Sequence, residues 1–289
     1  MEDRIMRNLI SNGLRRLVRS EARYARGDRD ARIIAVATIK GGVGKTTTSV
    51  NLASGLAKAN KRVLLVDLDA QGHCSTSLRS KLPTEPVHKH VSELLLSDDR
   101  PQLIDAAVST RVPNLDITLA DPNLAEAEGR IAQKIGKEML LRDALSITRT
   151  HYDAIIIDCP PNKGNLTLNA MLAADQVLIP TDLSPLSVQG ADELIGTVLT
   201  VNERLGHQLD VLGVLLTRVD GRNVSMNQSI RDQIREAWGE LLLETEIGVN
   251  TQLAQAQQEG APIFDYAPKS RGAEHYDALT AEICGRLWP

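Results

Sequence analysis

Apolar and polar positions along the chain change their period at one place. Over residues 4–26, Ile5, Met6, Leu9, Ile10, Leu14, Leu17 and Val18 recur at helical spacing and arginines fill much of the other face. The spacing predicts a basic amphipathic helix. GDRD (27–30) reads as a short linker. From Arg32 onward, short apolar runs alternate with helical stretches. RIIAVAT (32–38), RVLLVDLD (62–69), LDITLA (115–120), DAIIID (153–158), QVLIPT (176–181), DVLGVLLTRV (210–219) and a short run at 241–247 predict strands. Helices are predicted over 45–59, 122–150 with a break near Gly136, 164–174, 187–204, 225–238 and 272–287, with a loop at 83–90. Val, Ile and Leu follow one another in the strands without polar alternation, as in strands covered on both faces. The expected fold is therefore α/β, a mostly parallel twisted sheet with helices on both faces and a short helical N-terminal extension. The predicted division is an arm, residues 1–30, and one domain, residues 31–289. There is no internal repeat.

Composition narrows the class. The 289 residues are 42% hydrophobic and 24% charged, ordinary for a globular protein. No apolar run approaches the length of a membrane span, and MEDRIMRNLI is too charged for a secretory signal. The three cysteines, Cys74, Cys159 and Cys284, lack metal-type spacing and suit a reducing cytoplasm. Charge is uneven. Nine arginines against five acidic residues give the first 32 residues +4, which leaves −8 on the rest of a chain whose net charge is −4. A basic arm on an acidic body speaks of partners rather than of fold.

The chemistry is concentrated in KGGVGKTT (40–47), placed between a predicted strand and a predicted helix. Glycines there let backbone N–H groups converge on phosphate oxygens, and the helix N-terminus adds its positive end. Lys45 suits the β- and γ-phosphates, and the Thr46 hydroxyl suits Mg²⁺. The strict G-x-x-x-x-G-K-[ST] pattern fails, because Ile39 stands at its first glycine. Lys40 is one lysine more than such a loop requires. Asp67, Asp69 and Asp158 close predicted strands, where carboxylates surround a ligand crevice in parallel sheets.

KGGVGKTT resembles the deviant phosphate loop of the ParA/MinD group of P-loop ATPases. VLLVDLDAQG (63–72), YDAIIIDCPPNKGNLTLNAMLAADQVLIP (152–180) and APIFDYAPKSRGAEHY (261–276) resemble further segments of ParA, so the likeness spans roughly residues 32–287. It implies an ATPase using ATP and Mg²⁺, with the nucleotide on Lys40, Gly41, Gly42, Val43, Gly44, Lys45, Thr46 and Thr47. Lys40 becomes the signature lysine, which crosses to the ATP of a second subunit in an ATP-dependent homodimer. A second cation on a polyphosphate in a closing interface acts far more strongly than in water. By the same resemblance Asp69 positions the attacking water, Asp158 joins Thr46 around Mg²⁺, and Asp67 supports that shell. No arginine finger is evident, so basal hydrolysis is expected to be slow, with a ParB-like or scaffold partner to speed it.

Relatives of this kind bind DNA without sequence preference. Arg218, Arg222, Arg231, Arg235, Lys269 and Arg271 are the candidate phosphate contacts, while Val249, Gln252 and Ala261 stand where ParA relatives often carry basic residues. Ala70, His73 and Asn162 also depart from the usual pattern. The expected role is positioning or segregating a cargo from the nucleoid in the cytoplasm. A MinD-like switch on a membrane surface is the alternative. The arm is too short for a helix-turn-helix domain; added DNA affinity, a membrane surface, a docking partner and packing on the body all stay open for it. Iron–sulfur scaffolds, tyrosine kinases and arsenite-type ATPases are disfavoured, since paired cysteines, a tyrosine cluster and a duplicated loop are all missing.

Overall fold

The computed structural model describes residues 24–84, 89–99, 101–119, 121–220 and 224–288, with the side chains of all but 224–229. Its strands are β1 (Arg32–Val36), β2 (Val63–Asp67), β3 (Ala107–Ser109), β4 (Leu115–Thr118), β5 (Ala154–Asp158), β6 (Gln176–Thr181), β7 (Asp210–Val219) and β8 (Leu242–Gly248). Its α-helices are α1 (Lys45–Lys58), α2 (His73–Ser77), α3 (Val91–Leu96), α4 (Leu124–Ile131), α5 (Leu140–Leu145), α6 (Asn165–Ala173), α7 (Pro185–Leu205), α8 (Val224–Trp238), α9 (Thr251–Glu259), α10 (Ile263–Tyr266) and α11 (Arg271–Leu287). The strands form one eight-stranded sheet in the order β3-β4-β2-β5-β1-β6-β7-β8. All neighbours are parallel except β3, which lies antiparallel at the β4 edge. This is the α/β architecture the uninterrupted apolar strands predict.

Each central strand feeds two cores. Ile33 and Ala35 of β1, with Leu64 and Val66 of β2 and Ile155 and Ile157 of β5, pack under α3 to α8. Their neighbours Ile34, Val36, Leu65 and Ile156 face the other way, onto α1, α10 and α11. Successive side chains of a strand point to opposite faces, so a strand covered on both faces needs apolar residues at every position. The C-terminal segment serves the loop helix directly. Tyr276 of α11 pairs its hydroxyl with Thr48 of α1 at 3.3 Å, and Asn51 of α1 accepts from the Ile263 amide at 2.8 Å. Among the described residues, no helix is long and apolar enough to cross a membrane.

Two expectations change, and a third lies mostly outside the described residues. The stretch 122–150 is not a helix with one break: α4, a 3-10 turn at Lys137–Met139, α5 and a second turn at Thr148–His151 share it. Gly136 takes a φ of 69° between them, where continued helix needs a negative value. The expected arm helix lies outside the described residues up to residue 23; residues 24–26 are not helical. GDRD is no free linker. The Gly27 amide donates to Thr150 Oγ1 (2.9 Å), the Arg29 amide to Thr150 O (3.0 Å), and the Arg29 guanidinium pairs with Asp153. These contacts lie beside the start of β5, at the opposite end of the strands from the phosphate loop.

Candidate functional site

Strand register assembles the site. In the parallel ladder Val36 of β1 lies opposite Asp158 of β5, and Asp158 lies opposite Asp67 of β2. The loop leaving β1 therefore passes over two carboxylates at the carboxyl ends of neighbouring strands. Between β1 and α1 the loop turns through Gly42 (φ 80°) and Gly44 (φ 81°), conformations that side chains with a Cβ rarely adopt. A cleft of about 360 Å³ opens there. Lys40, Gly41, Gly42, Gly44, Lys45, Thr46, Thr47 and Asp69 line it, joined by His73, Pro161 and Gln257. Val43 is buried beneath.

The two lysines occupy different environments. Lys45, 7% exposed, donates Nζ to Asp158 Oδ1 at 2.9 Å. Burial works against its charge, but the adjacent carboxylate outweighs burial and raises the ammonium above its ordinary value. Asp158, fully buried, also accepts from Thr46 Oγ1 (2.8 Å), Ser49 Oγ (2.8 Å) and the Cys74 thiol (3.3 Å). Lys40 is 36% exposed at the rim. Its Nζ donates to Ser184 Oγ (2.7 Å) and Ser187 Oγ (2.9 Å), with Asp182 Oδ2 at 3.7 Å, at the entry to α7. Burial pushes Asp182 up, but hydrogen bonds from Ser184 and Ser187 and the Lys40 charge together pull it below its usual value. Nothing in the sequence singles out Asp182, Ser184 and Ser187, which lie at or just before the start of the predicted helix 187–204.

Asp67 is the least settled group of the site. Oδ2 accepts from the Ser75 amide (3.2 Å) and hydroxyl (3.3 Å), while the buried Oδ1 has no hydrogen-bond partner. Burial, then the Asp158 charge, pushes its pKa up to about 7. Asp67, Asp158 and Cys74 bring ligand atoms within 4.8 Å of one another. An orphaned carboxylate oxygen beside a second carboxylate and the Thr46 hydroxyl fits a hard divalent cation such as Mg²⁺. Cys74 does not add to that set: its sulfur is soft, and burial followed by the two neighbouring carboxylates keeps it a thiol. Asp69 lies two residues past the end of β2 rather than in it, and its Oδ1 accepts from the Gln71 amide at 3.0 Å. It is the acidic side chain of the cleft wall.

A pH dependence follows from Asp67. Its folded value of about 7 lies above the ordinary 3.8, so folding takes up a proton in that window. The contribution is complete below about pH 4 and is lost as pH rises through 7. Asp67→Asn should flatten this part of the stability profile and be more stable than the parent at pH 8, by on the order of 2 kcal/mol. Urea unfolding without nucleotide at pH 5 and pH 8 checks this. Equal slopes for the two proteins would place the strain elsewhere.

The candidate DNA contacts differ in their settings. Arg231 makes a two-bond pair with Glu246 of β8 (2.8 and 2.5 Å). Arg218 donates Nη1 to the Gly42 carbonyl at 2.9 Å. Arg235, Lys269 and Arg271 are exposed, and Arg222 lies outside the described residues.

A nucleotide loop at the carboxyl edge of a parallel sheet, backed by two strand-end carboxylates, defines a P-loop NTPase. A family model described as an AAA domain matches residues 31–211. The sporulation initiation inhibitor protein Soj of Bacillus subtilis is 40% identical over 252 residues, which cover 87% of this chain and 98% of Soj. The chromosome partitioning protein ParA of Caulobacter vibrioides is 36% identical over 260 residues, covering 88% and 94%. Among solved structures, the septum site-determining protein MinD of Pyrococcus horikoshii, complexed with Mg-ADP, superposes with a TM-score of 0.71 at 25% identity, covering 88% of this chain and 96% of MinD. The chain belongs to the ParA/MinD-type family of P-loop ATPases.

Proposed function

We propose that the chain is a ParA-type positioning ATPase, in which ATP joins two copies into a form that holds DNA without sequence preference. The observation that carries this reading is the division between the lysines. Lys45 is buried on Asp158 beneath its own loop, whereas Lys40 stands at the open rim, held there by Ser184 and Ser187, where a second subunit's nucleotide could meet it. The relatives named as partitioning proteins support the same reading.

In this proposal the loop amides and Lys45 hold the phosphates, and α1 presents its N-terminus to them. Thr46, Asp158 and Asp67 would hold Mg²⁺, which would supply positive charge against the phosphates. Asp69 orients water toward the γ-phosphate. Lys40 leaves Ser184 and Ser187 for the partner's phosphates, so the dimer depends on the γ-phosphate. Hydrolysis removes that contact and releases both partner and DNA; with no arginine finger among the family motifs, the basal rate is slow and a ParB-like or scaffold protein raises it. Exposed Arg235, Lys269 and Arg271 are the proposed DNA contacts, joined by Arg222.

Analytical ultracentrifugation tests the first step. The full chain should sediment as a dimer with Mg-ATP under non-hydrolysing conditions and as a monomer with Mg-ADP. A monomer in both would end the proposal. The MinD-like alternative draws on the basic amphipathic pattern of residues 4–26. It predicts ATP-dependent sedimentation with anionic liposomes instead of DNA.

A further inference from the structure

Two consecutive residues at the end of β7 hold two consecutive carbonyls of the phosphate loop. Thr217, buried, donates Oγ1 to Val43 O at 2.7 Å. Arg218, exposed, donates Nη1 to Gly42 O at 2.9 Å. Neighbours in an extended strand point to opposite faces and could not both reach one loop. Arg218 departs from extended geometry. Its φ is 53°, in the left-handed region that residues with a side chain seldom enter. A strained backbone held in this way, on a residue whose head group meets the site, is the kind of outlier that points to function.

The geometry has a definite effect on the loop. In a planar trans peptide, the carbonyl of one residue and the N–H of the next point in opposite directions. Holding the oxygens of Gly42 and Val43 from the β7 side therefore turns the amides of Val43 and Gly44 the other way. That is the side a phosphate must occupy for those amides to hold it. We infer that Arg218 is a positioning residue: with Thr217 it sets the amides of Val43 and Gly44 for the nucleotide before the nucleotide arrives. This rests on the proposed binding of ATP at the loop. It gives Arg218 a task other than the DNA contact that its position in the sequence suggests.

The role predicts a particular kinetic signature. The amides grip phosphates shared by ATP, ADP and the transition state. Loss of the clamp should therefore weaken the binding of both nucleotides alike and leave kcat within about twofold. Arg218→Gly is the informative variant, because glycine adopts a φ of 53° without strain. The variant should keep or raise the parent Tm while losing the clamp. Calorimetric titration of the full chain should show Mg-ADP and Mg-ATP each bound about fivefold more weakly, the share of one hydrogen bond. Arg218→Lys, which keeps a donor of shorter reach, should recover part of the loss. Unchanged nucleotide affinity in a well-folded Arg218→Gly protein would overturn the inference. So would a fall in kcat at constant KM, the mark of an arginine acting on the transition state. Should the parent protein bind neither nucleotide, the ATP reading fails first and the inference goes with it.

Discussion

Lys45→Ala should both weaken nucleotide binding sharply and loosen the fold. Lys45 is the cation that Asp158 faces, and both side chains are buried. Removing one partner of a buried pair leaves a carboxylate that can neither reach water nor find its counter-charge. The usual cost is about 3–5 kcal/mol. Here the lower end, about 3 kcal/mol, is expected, because Thr46, Ser49 and Cys74 still donate to Asp158. Affinity for Mg-ATP should fall on the order of 100-fold, from the loss of charge-assisted bonds to phosphate. The two effects separate in a second variant. Adding Asp158→Asn to Lys45→Ala removes the stranded charge and should restore most of the stability but none of the binding. Urea unfolding and nucleotide titration on both proteins check this. A Lys45→Ala protein as stable as the parent would show that the pair contributes nothing to the fold.

Asp69→Ala should do the opposite: keep the nucleotide and lose the chemistry. Asp158 is committed to four donors and Asp67 is raised by burial and by its neighbour. Asp69 is the carboxylate on the cleft wall, with one oxygen held by the Gln71 amide. A group that only orients or deprotonates the attacking water contributes in the transition state. Its loss should lower kcat by about 10²–10⁴-fold with KM for ATP nearly unchanged. His73 also lines the cleft and is the competing base. If His73→Ala fell as far while Asp69→Ala kept its rate, the assignment would move to the histidine.

Much of this was legible before any coordinates. IIAV, LLVD and IIID reveal a sheet covered on both faces, since only such strands can place apolar residues on both sides. The loop KGGVGKTT and the strand-end Asp67 and Asp158 fall where the topology brings strand ends together. Other features could not be read, because the sequence does not show which distant groups meet. Arg218 and Arg231 look like free surface charges until Gly42 and Glu246 are found beside them. Lys40 gives no sign of its resting partners, which belong to the start of a helix far along the chain. Helix α9 was readable in principle. Asn250 caps it by accepting from the Gln252 amide, and Gly260 closes it at a φ of 69°; an asparagine at the start and a glycine at the end are both sequence signals. Between residues 122 and 151 the break at Gly136 was legible, but the division of the rest into short helical pieces was not, because no periodicity announces it.

The central claim is that a γ-phosphate contact made by Lys40 across a dimer switches DNA binding on. It is tested most directly by co-sedimentation with a random-sequence DNA duplex, using Asp69→Ala to hold ATP unhydrolysed, with and without Lys40→Ala. The account predicts binding with Mg-ATP but not with Mg-ADP, weakening steeply from 50 to 200 mM salt as expected for phosphate contacts, and lost when Lys40 is replaced. DNA binding that ignores the nucleotide, or that survives Lys40→Ala undiminished, would contradict it.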